Sequence, residues 1–287
     1  MDEQVDFSDI ERAKSVLQPF MAAHVSEYRD KVGDSPEESE AFGDMCFGEE
    51  DYVGALAHMK RAVEQGGVSV SIYMKLGAAS EACNEDEEAL AAYKMAFDMG
   101  GGFEPAIASG QMARALGHRQ EAEKWFLQAS AIAPTKSYPH SLLAGFYREE
   151  GKRAQAAEQA KLAAELSESS WDDWIDAAEL AIDAGHSANG EAFARKALEL
   201  QPTERWGMVL VSAAQWQAGN TEGAVRSARL ATELGDNPEI IHGLLAWMFE
   251  VLGHTEESEQ EAKKQGTLDR YDQEGLRRLI DRFAQTP

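Results

Sequence analysis

The sequence predicts an all-α solenoid, a fold in which similar helical hairpins stack one after another. Two observations support this prediction. Small residues recur at three fixed places, every 33 or 34 residues, along most of the chain. Each period also holds two apolar segments of helical spacing, joined by an acidic or glycine-containing turn. A period between about 20 and 50 residues is typical of repeat proteins, in which one unit cannot bury its apolar surface alone.

The three series of small residues share one register. The first series is Gly43, Gly77, Gly110, Ala144, Ala178, Ser212 and Ala246. The second is Ala55, Ala89, Ala122, Ala156, Gly190, Ala224 and Ser258. The third is Ala62, Ala96, Ala129, Ala163, Ala197 and Ala231, and Gln265 departs from it in repeat seven. This register predicts antiparallel helix pairs, because small residues let two helices approach closely while larger apolar side chains fill the space beside them.

The register divides the chain into repeats and two ends. The predicted repeats are 36–69, 70–102, 103–136, 137–170, 171–204, 205–238 and 239–272. Residues 1–35 are predicted to form an N-terminal helical cap, and residues 273–287 a C-terminal capping helix. In the latter, Leu276, Leu279, Ile280 and Phe283 recur at helical spacing, with Arg277, Arg278, Asp281 and Arg282 between them. The apolar face is expected to cover repeat seven, and the charged face to meet water.

The repeats resemble the tetratricopeptide repeat, whose pattern is W-x2-L-G-x2-Y, then Ala, a bulky residue, Ala and Pro. Repeat two carries Tyr73, Leu76, Gly77, Ala89, Tyr93 and Ala96. Repeat three carries Gly110, Ala122, Phe126, Ala129 and Pro134, and repeat five carries Trp174 and Pro202. The resemblance covers about residues 36–272, and repeat seven departs most from the pattern. It implies a right-handed superhelix that binds protein partners on its concave surface.

Composition narrows the classes of partner. The net charge of −24 would repel a phosphate backbone, and no Lys/Arg cluster offsets it, so no nucleic-acid partner is expected. No run of about 18 apolar residues occurs, so no membrane insertion is expected. Two cysteines in 287 residues do not make a disulfide framework, and the expected location is the cytoplasm.

The sequence gives no sign of an enzyme. It contains no phosphate-binding loop, dinucleotide fingerprint, nucleophile elbow or HExxH zinc motif. Its seven histidines are spread over different repeats, without the short spacing of a metal site. We therefore predict no catalytic residue, no metal and no cofactor.

The predicted partner site is a tryptophan-rich surface beside a row of carboxylates. One helical step beyond the buried stripe, which is the concave side in the resembled family, repeats six and seven place Trp206, Val209, Leu210, Trp216, Ile240, Leu244 and Trp247. Repeat five places Asp172, Asp176, Glu179 and Asp183 beside them. Secondary candidates in repeats three and four are Gln111, Arg114, Tyr138 and Arg148.

This surface predicts an adaptor, scaffold or chaperone that binds a peptide or an amphipathic helix with apolar anchors and neighbouring Lys or Arg. In the alternative, the chain's own C-terminal helix or a second copy covers the surface. Cover by a second copy would make the chain a self-associating structural scaffold. Family members that bind heat-shock chaperones hold a C-terminal carboxylate with Lys, Asn and Arg at set places on three successive first helices. Here only Lys75 is basic at those places, so that clamp is not expected.

Overall fold

The computed structural model describes residues 34–167, 169–234 and 238–284. Within these ranges the chain forms fifteen α-helices and no β-strand, which confirms the predicted all-α helical solenoid. The helices fall into two compact units that divide between Ala133 and Pro134. The predicted N-terminal cap, 1–35, lies outside the described residues except for Asp34 and Ser35.

The first unit contains three helical hairpins. Their helices are α1 (Pro36–Gly48), α2 (Tyr52–Glu64), α3 (Val70–Ala82), α4 (Asp86–Asp98), α5 (Phe103–Ala115) and α6 (Arg119–Ile132). Short polar side chains begin several of them. Ser35 accepts a hydrogen bond from the amide of Glu38 at α1, and Ser69 accepts one from the amide of Ile72 at α3. These caps satisfy amides that a helix start otherwise leaves unpaired.

The second unit contains four hairpins and one further helix. The hairpin helices are α7 (Ser137–Glu149), α8 (Arg153–Ser167), α9 (Trp171–Asp183), α10 (Ser187–Leu200), α11 (Arg205–Gln217), α12 (Thr221–Thr232), α13 (Glu239–Val251) and α14 (Thr255–Gln265). The further helix is α15 (Arg270–Ala284). Each hairpin turn contains a glycine with positive φ, a conformation that other residues resist: Gly151, Gly185, Gly219 and Gly253.

The small residues form the contact between the two helices of a hairpin. A Cβ added at Gly77 would lie 2.5 Å from Cε1 of Tyr93, and one at Gly110 would lie 2.6 Å from Cε1 of Phe126. Both rings are buried against the facing helix. The glycines therefore provide the space that the large side chain of the second helix fills.

The last hairpin, α13 and α14, is joined partly by charge. Glu261 is buried and accepts hydrogen bonds from His242 at 2.7 Å and from Lys264 at 2.8 Å. Burial raises the pKa of Glu261, but these two hydrogen bonds outweigh it, so the pKa lies below its ordinary value. Ala262 is the single apolar residue of α14, Thr255–Gln265, so α14 offers little apolar surface to a following helix.

Helix α15 consequently does not extend the series of hairpins. It packs on α13 and α11, the first helices of repeats seven and six. Its buried residues, Leu279 and Phe283, belong to the apolar face that the sequence predicts. The sequence predicts that this face covers repeat seven; in the structure α15 packs on α11 of repeat six as well. The predicted segment 273–287 ends outside the described residues, which stop at Ala284.

Candidate functional site

The candidate site is a groove on the second unit, formed by the first helices of three successive hairpins. We call it the α15 groove because α15 lies in it. Its side chains come from one row of positions on α9, α11 and α13. They are Glu179, Asp183, Trp206, Trp216, Ile240 and Trp247.

An aromatic cluster holds the C-terminal end of α15. The ring of Phe283 lies 6.4 Å from that of Trp216 and 6.3 Å from that of Trp247, between centroids, and the two tryptophan rings are 5.5 Å apart. The rings meet at tilted or edge-on angles, which aromatic pairs prefer over a face-to-face stack. Phe283 is 1% exposed, so it is a fully buried anchor of α15.

An ion-pair network lies beside the aromatic cluster. The Arg282 guanidinium contacts Glu179 at 3.2 Å and Asp183 at 3.3 Å. Glu179 also accepts a hydrogen bond of 2.6 Å from the indole nitrogen of Trp206. All three charged side chains are less than a third exposed. Because solvent screens them only partly, this network holds α15 more strongly than a surface ion pair would.

The surroundings of the groove carboxylates disfavour the ionised form of these groups unless a cation lies nearby. Burial raises the pKa of Asp183, and the Arg282 guanidinium opposes that rise. Asp176 is exposed at the surface of α9, but the protein atoms around its carboxyl group displace part of its water, and this desolvation and the neighbouring charge of Glu179 raise its pKa. A raised carboxyl pKa means that the ionised carboxylate is less stable here than in water. A neighbouring arginine or lysine side chain stabilises the ionised carboxylate.

Helix α15 leaves part of the groove unfilled. A cavity of about 450 Å³ lies between α15 and the helices α11 and α13, with Trp206, Ile240, Gly275 and Leu279 among its lining residues. A second cavity, of about 340 Å³, lies beside Arg148, Asp183 and Arg282. The groove is therefore larger than the helix that occupies it.

The structure separates the predicted apolar site residues into two groups. Val209, Leu210 and Leu244 are fully buried and belong to the core beneath the groove. Trp206, Trp216, Ile240 and Trp247 line the groove itself. The expectation that the three tryptophans are exposed is wrong: Trp216 is 8% exposed, and Trp206 and Trp247 are half-buried.

The predicted acidic residues also divide. Glu179 and Asp183 pair with Arg282, whereas Asp172 and Asp176 are exposed on α9. Asp176 lines a small cavity of about 70 Å³ together with Arg148. Only half of the predicted acidic row therefore contacts α15.

The secondary candidates lie in two different units of the chain. Gln111 and Arg114 are on α5 of the first unit, whereas Tyr138 and Arg148 are on α7 of the second. Tyr138 is exposed, and Arg148 lines the 340 Å³ cavity.

Sequence reasoning missed the role of Arg282, which it placed on a water-facing side. In the structure Arg282 is largely buried between the groove carboxylates. A signal was present in the sequence. Arg282 lies three residues after Leu279 and directly before Phe283, so it borders the apolar stripe, and the row of carboxylates on α9 lacked a cation.

Two further properties concern only the described ranges. No helix there is long and apolar enough to cross a membrane. Within the same ranges, no group of three or more His, Cys, Asp or Glu side chains is arranged to hold a metal ion.

No protein-family model and no curated protein matches this chain. Solved structures do. The C-terminal part of a TPR repeat-containing protein from Cytophaga hutchinsonii is 12% identical with a TM-score of 0.65, covering 82% of this chain and 98% of that one. A tetratricopeptide repeat protein from Parabacteroides merdae is 15% identical with a TM-score of 0.53, covering 88% and 100%. MamA from Desulfovibrio magneticus is 14% identical with a TM-score of 0.52, covering 61% and 99%. The chain therefore has the tetratricopeptide-repeat fold, as its residue pattern predicts.

Proposed function

We propose that this chain is a protein-interaction module whose α15 groove binds one amphipathic helix of a partner protein. The observation that carries the proposal is α15 itself. An amphipathic helix with an aromatic anchor and an adjacent arginine lies in the groove, and each feature meets a matching surface. This arrangement is the helix-in-groove mode of peptide recognition, in which anchors recur at three- and four-residue spacing.

The groove chemistry defines the partner helix. Phe283 shows that the tryptophan pair accepts a large aromatic side chain, and Arg282 shows that the carboxylates accept a guanidinium one position earlier. Two further carboxylates, Asp172 and Asp176, would attract additional Lys or Arg. The net charge of −24 strengthens this preference, because an acidic surface steers basic partners during encounter.

The proposed role within this class is that of an adaptor or scaffold. Stacked helical hairpins create an extended surface that can bind a partner without catalysing a reaction. A chaperone role has less support, because Lys75 already pairs with Glu40 at 2.9 Å and Asp44 at 2.7 Å. The proposed location is the cytoplasm, because two cysteines in 287 residues are too few for a disulfide framework.

The test uses a full-length chain whose own helix is removed from the groove. Leu279→Asp with Phe283→Asp places two charges at the buried positions of α15, and we call this variant the opened chain. The probe is a fluorescent peptide with the sequence of residues 270–284. We expect the opened chain to bind the peptide, and Trp247→Ala in the opened chain to weaken binding about 30-fold. This corresponds to about 2 kcal/mol for losing an aromatic anchor.

Three further variants of the opened chain serve as comparisons. Leu230→Ala removes an exposed apolar side chain on α12, away from the groove, and should leave binding unchanged. If Trp247→Ala also leaves binding unchanged while Tyr138→Ala or Arg148→Ala abolishes it, the binding site lies on α7 and the proposal is wrong.

Self-association through the same groove is the competing function. It predicts that the unmodified chain forms a complex whose mass rises with concentration, because one copy would supply α15 to another. The proposed function predicts that the mass of the unmodified chain stays constant over the same range of protein concentration. Light scattering of the unmodified chain distinguishes these two results.

A further inference from the structure

We infer that α15 is a displaceable occupant, which keeps the groove closed until a better-fitting helix replaces it. This inference rests on the proposed function and adds a means of regulation to the same site. Three features of the molecule support this inference. The link between α15 and the last hairpin is short, and α15 fills the groove incompletely. The hairpins beneath α15 also make contacts with each other that do not involve α15.

The link between α14 and α15 is short, so α15 competes efficiently. Only residues 266–269 separate the end of α14 from the start of α15. A short link holds a segment near its site at an effective concentration on the order of millimolar. A partner helix added at lower concentration must therefore bind more tightly than α15 does to occupy the same groove. Its apparent affinity falls in proportion to the fraction of molecules whose groove is open.

The fit of α15 is incomplete beside Gly275 and Leu279, which line the 450 Å³ cavity. Only Leu279 and Phe283 of this helix are buried, and Leu276 and Ile280 are half-buried. Gly275 has no side chain, although it faces the 450 Å³ cavity; a Cβ added there would lie 3.7 Å from Cδ1 of Ile240, an ordinary contact. The cavity can therefore accept a side chain that α15 does not provide.

The hairpins beneath α15 have a core of their own. Helix α11 packs against α10 and α12, and its residues Val211 and Ser212 are buried. Ser212 donates a hydrogen bond of 2.7 Å to the carbonyl of Ala224 on α12. In α13, Ser258 of α14 donates to the carbonyl of Ala246 at 2.9 Å. Because these contacts do not involve α15, its release leaves the hairpins paired.

The geometry also sets the pattern of a competing helix. Such a helix keeps the arginine and aromatic residue at the places of Arg282 and Phe283. It differs from α15 by a large apolar residue at the place of Gly275, which would fill the cavity beside Trp206 and Ile240. A partner with this pattern has an advantage that α15 lacks.

The experiment titrates three labelled peptides of residues 270–284 into the unmodified and the opened chain. The peptides carry the natural Gly275, Gly275→Ala or Gly275→Leu, and the alanine peptide controls for helix propensity, which favours Ala over Gly. We expect each peptide to bind the unmodified chain at least ten-fold more weakly than the opened chain. We also expect the leucine peptide to bind the opened chain about five-fold more tightly than the alanine peptide, by filling the cavity.

The outcomes separate the two proposals. If the opened chain binds peptide and the unmodified chain binds it equally well, α15 does not close the groove and this inference is overturned, while the proposed function stands. If the opened chain is folded by circular dichroism but binds none of the peptides, the proposed function itself fails. A leucine peptide no tighter than the alanine peptide overturns the assignment of the cavity to a partner side chain.

A second variant guards against misfolding of the opened chain. Arg282→Glu leaves the aromatic anchor in place but sets three carboxylates against one another in the groove. It should raise affinity for the natural peptide over that of the unmodified chain, whereas Arg277→Glu on the exposed side of α15 should not. Equal affinities of these two variants would contradict the inference.

Discussion

Phe283→Ala is expected to release α15 from its groove in a large fraction of molecules while the seven hairpins stay folded. Phe283 is the largest fully buried side chain of α15 and touches both Trp216 and Trp247. Replacing a buried phenylalanine by alanine costs about 3 to 5 kcal/mol in a protein core. Because α15 covers only one face of the unit, we expect this cost to appear as local release rather than global unfolding.

Hydrogen exchange measured by mass spectrometry tests this prediction. The protection of residues 270–284 should fall by about 100-fold or more, taking about 1.4 kcal/mol per factor of ten. The protection of α11 and α13 should fall much less. Tyr271→Ala is the matched control, since Tyr271 is an aromatic residue of the same helix but is 81% exposed. Equal loss of protection in the two variants would show that Phe283 does not anchor α15.

Gly77→Val is expected to destabilise the first unit by about 3 kcal/mol, at the upper end of the usual cost of overpacking a core. A Cβ at this position would lie 2.5 to 2.9 Å from three ring atoms of Tyr93. That ring cannot move away freely, because it is buried and its hydroxyl donates a hydrogen bond of 2.9 Å to Glu81. The added side chain therefore forces the two helices of the hairpin apart.

Denaturant unfolding monitored by circular dichroism measures this loss. Gly145→Ala is the comparison, since Gly145 lies inside helix α7 and a Cβ there would meet nothing within 4 Å. Replacing this glycine should leave stability unchanged or raise it by about 0.5 to 1 kcal/mol, because alanine favours a helix. A Gly77→Val chain as stable as the unmodified protein would mean that this glycine series does not form the hairpin contact.

The fold was predictable because its rule is local and repeated. In each hairpin a small residue on one helix lies opposite a large side chain on the other. Gly77 faces Tyr93 in this way, and Gly110 faces Phe126 in the next hairpin. Seven repetitions in one register outweigh the departures of any single unit, such as Ser258 in the last hairpin.

The site was only partly predictable, because its occupant is set by tertiary structure. The residues that form the groove could be read from helical register, as Trp206, Ile240 and Trp247 show. The burial of Trp216 could not, since it depends on where α15 lies. That position reflects a competition between two surfaces, the polar face of α14 and the aromatic face of α11 and α13. The residues of both faces can be read from the sequence. The path that residues 266–269 take from α14 to α15 cannot.

The central claim is that α15 and a partner helix compete for one groove, and locking α15 in place tests it most directly. Ile240→Cys with Gly275→Cys, in a chain where Cys46 and Cys83 are alanine, places two thiols across the contact between α13 and α15. A Cβ at 275 would lie 3.7 Å from Cδ1, at the end of the Ile240 side chain. Oxidation joins the two thiols in molecules where the helices bring the two Cβ atoms to within about 4.5 Å.

The measurement is the affinity of the locked chain for the leucine peptide, before and after reduction of the disulfide. Mass spectrometry confirms that the bond has formed, and circular dichroism confirms that the fold is unchanged. We predict that the oxidised chain binds at least ten-fold more weakly than the reduced chain. Equal affinity in the two states would show that the peptide binds elsewhere and would contradict the assignment of the groove.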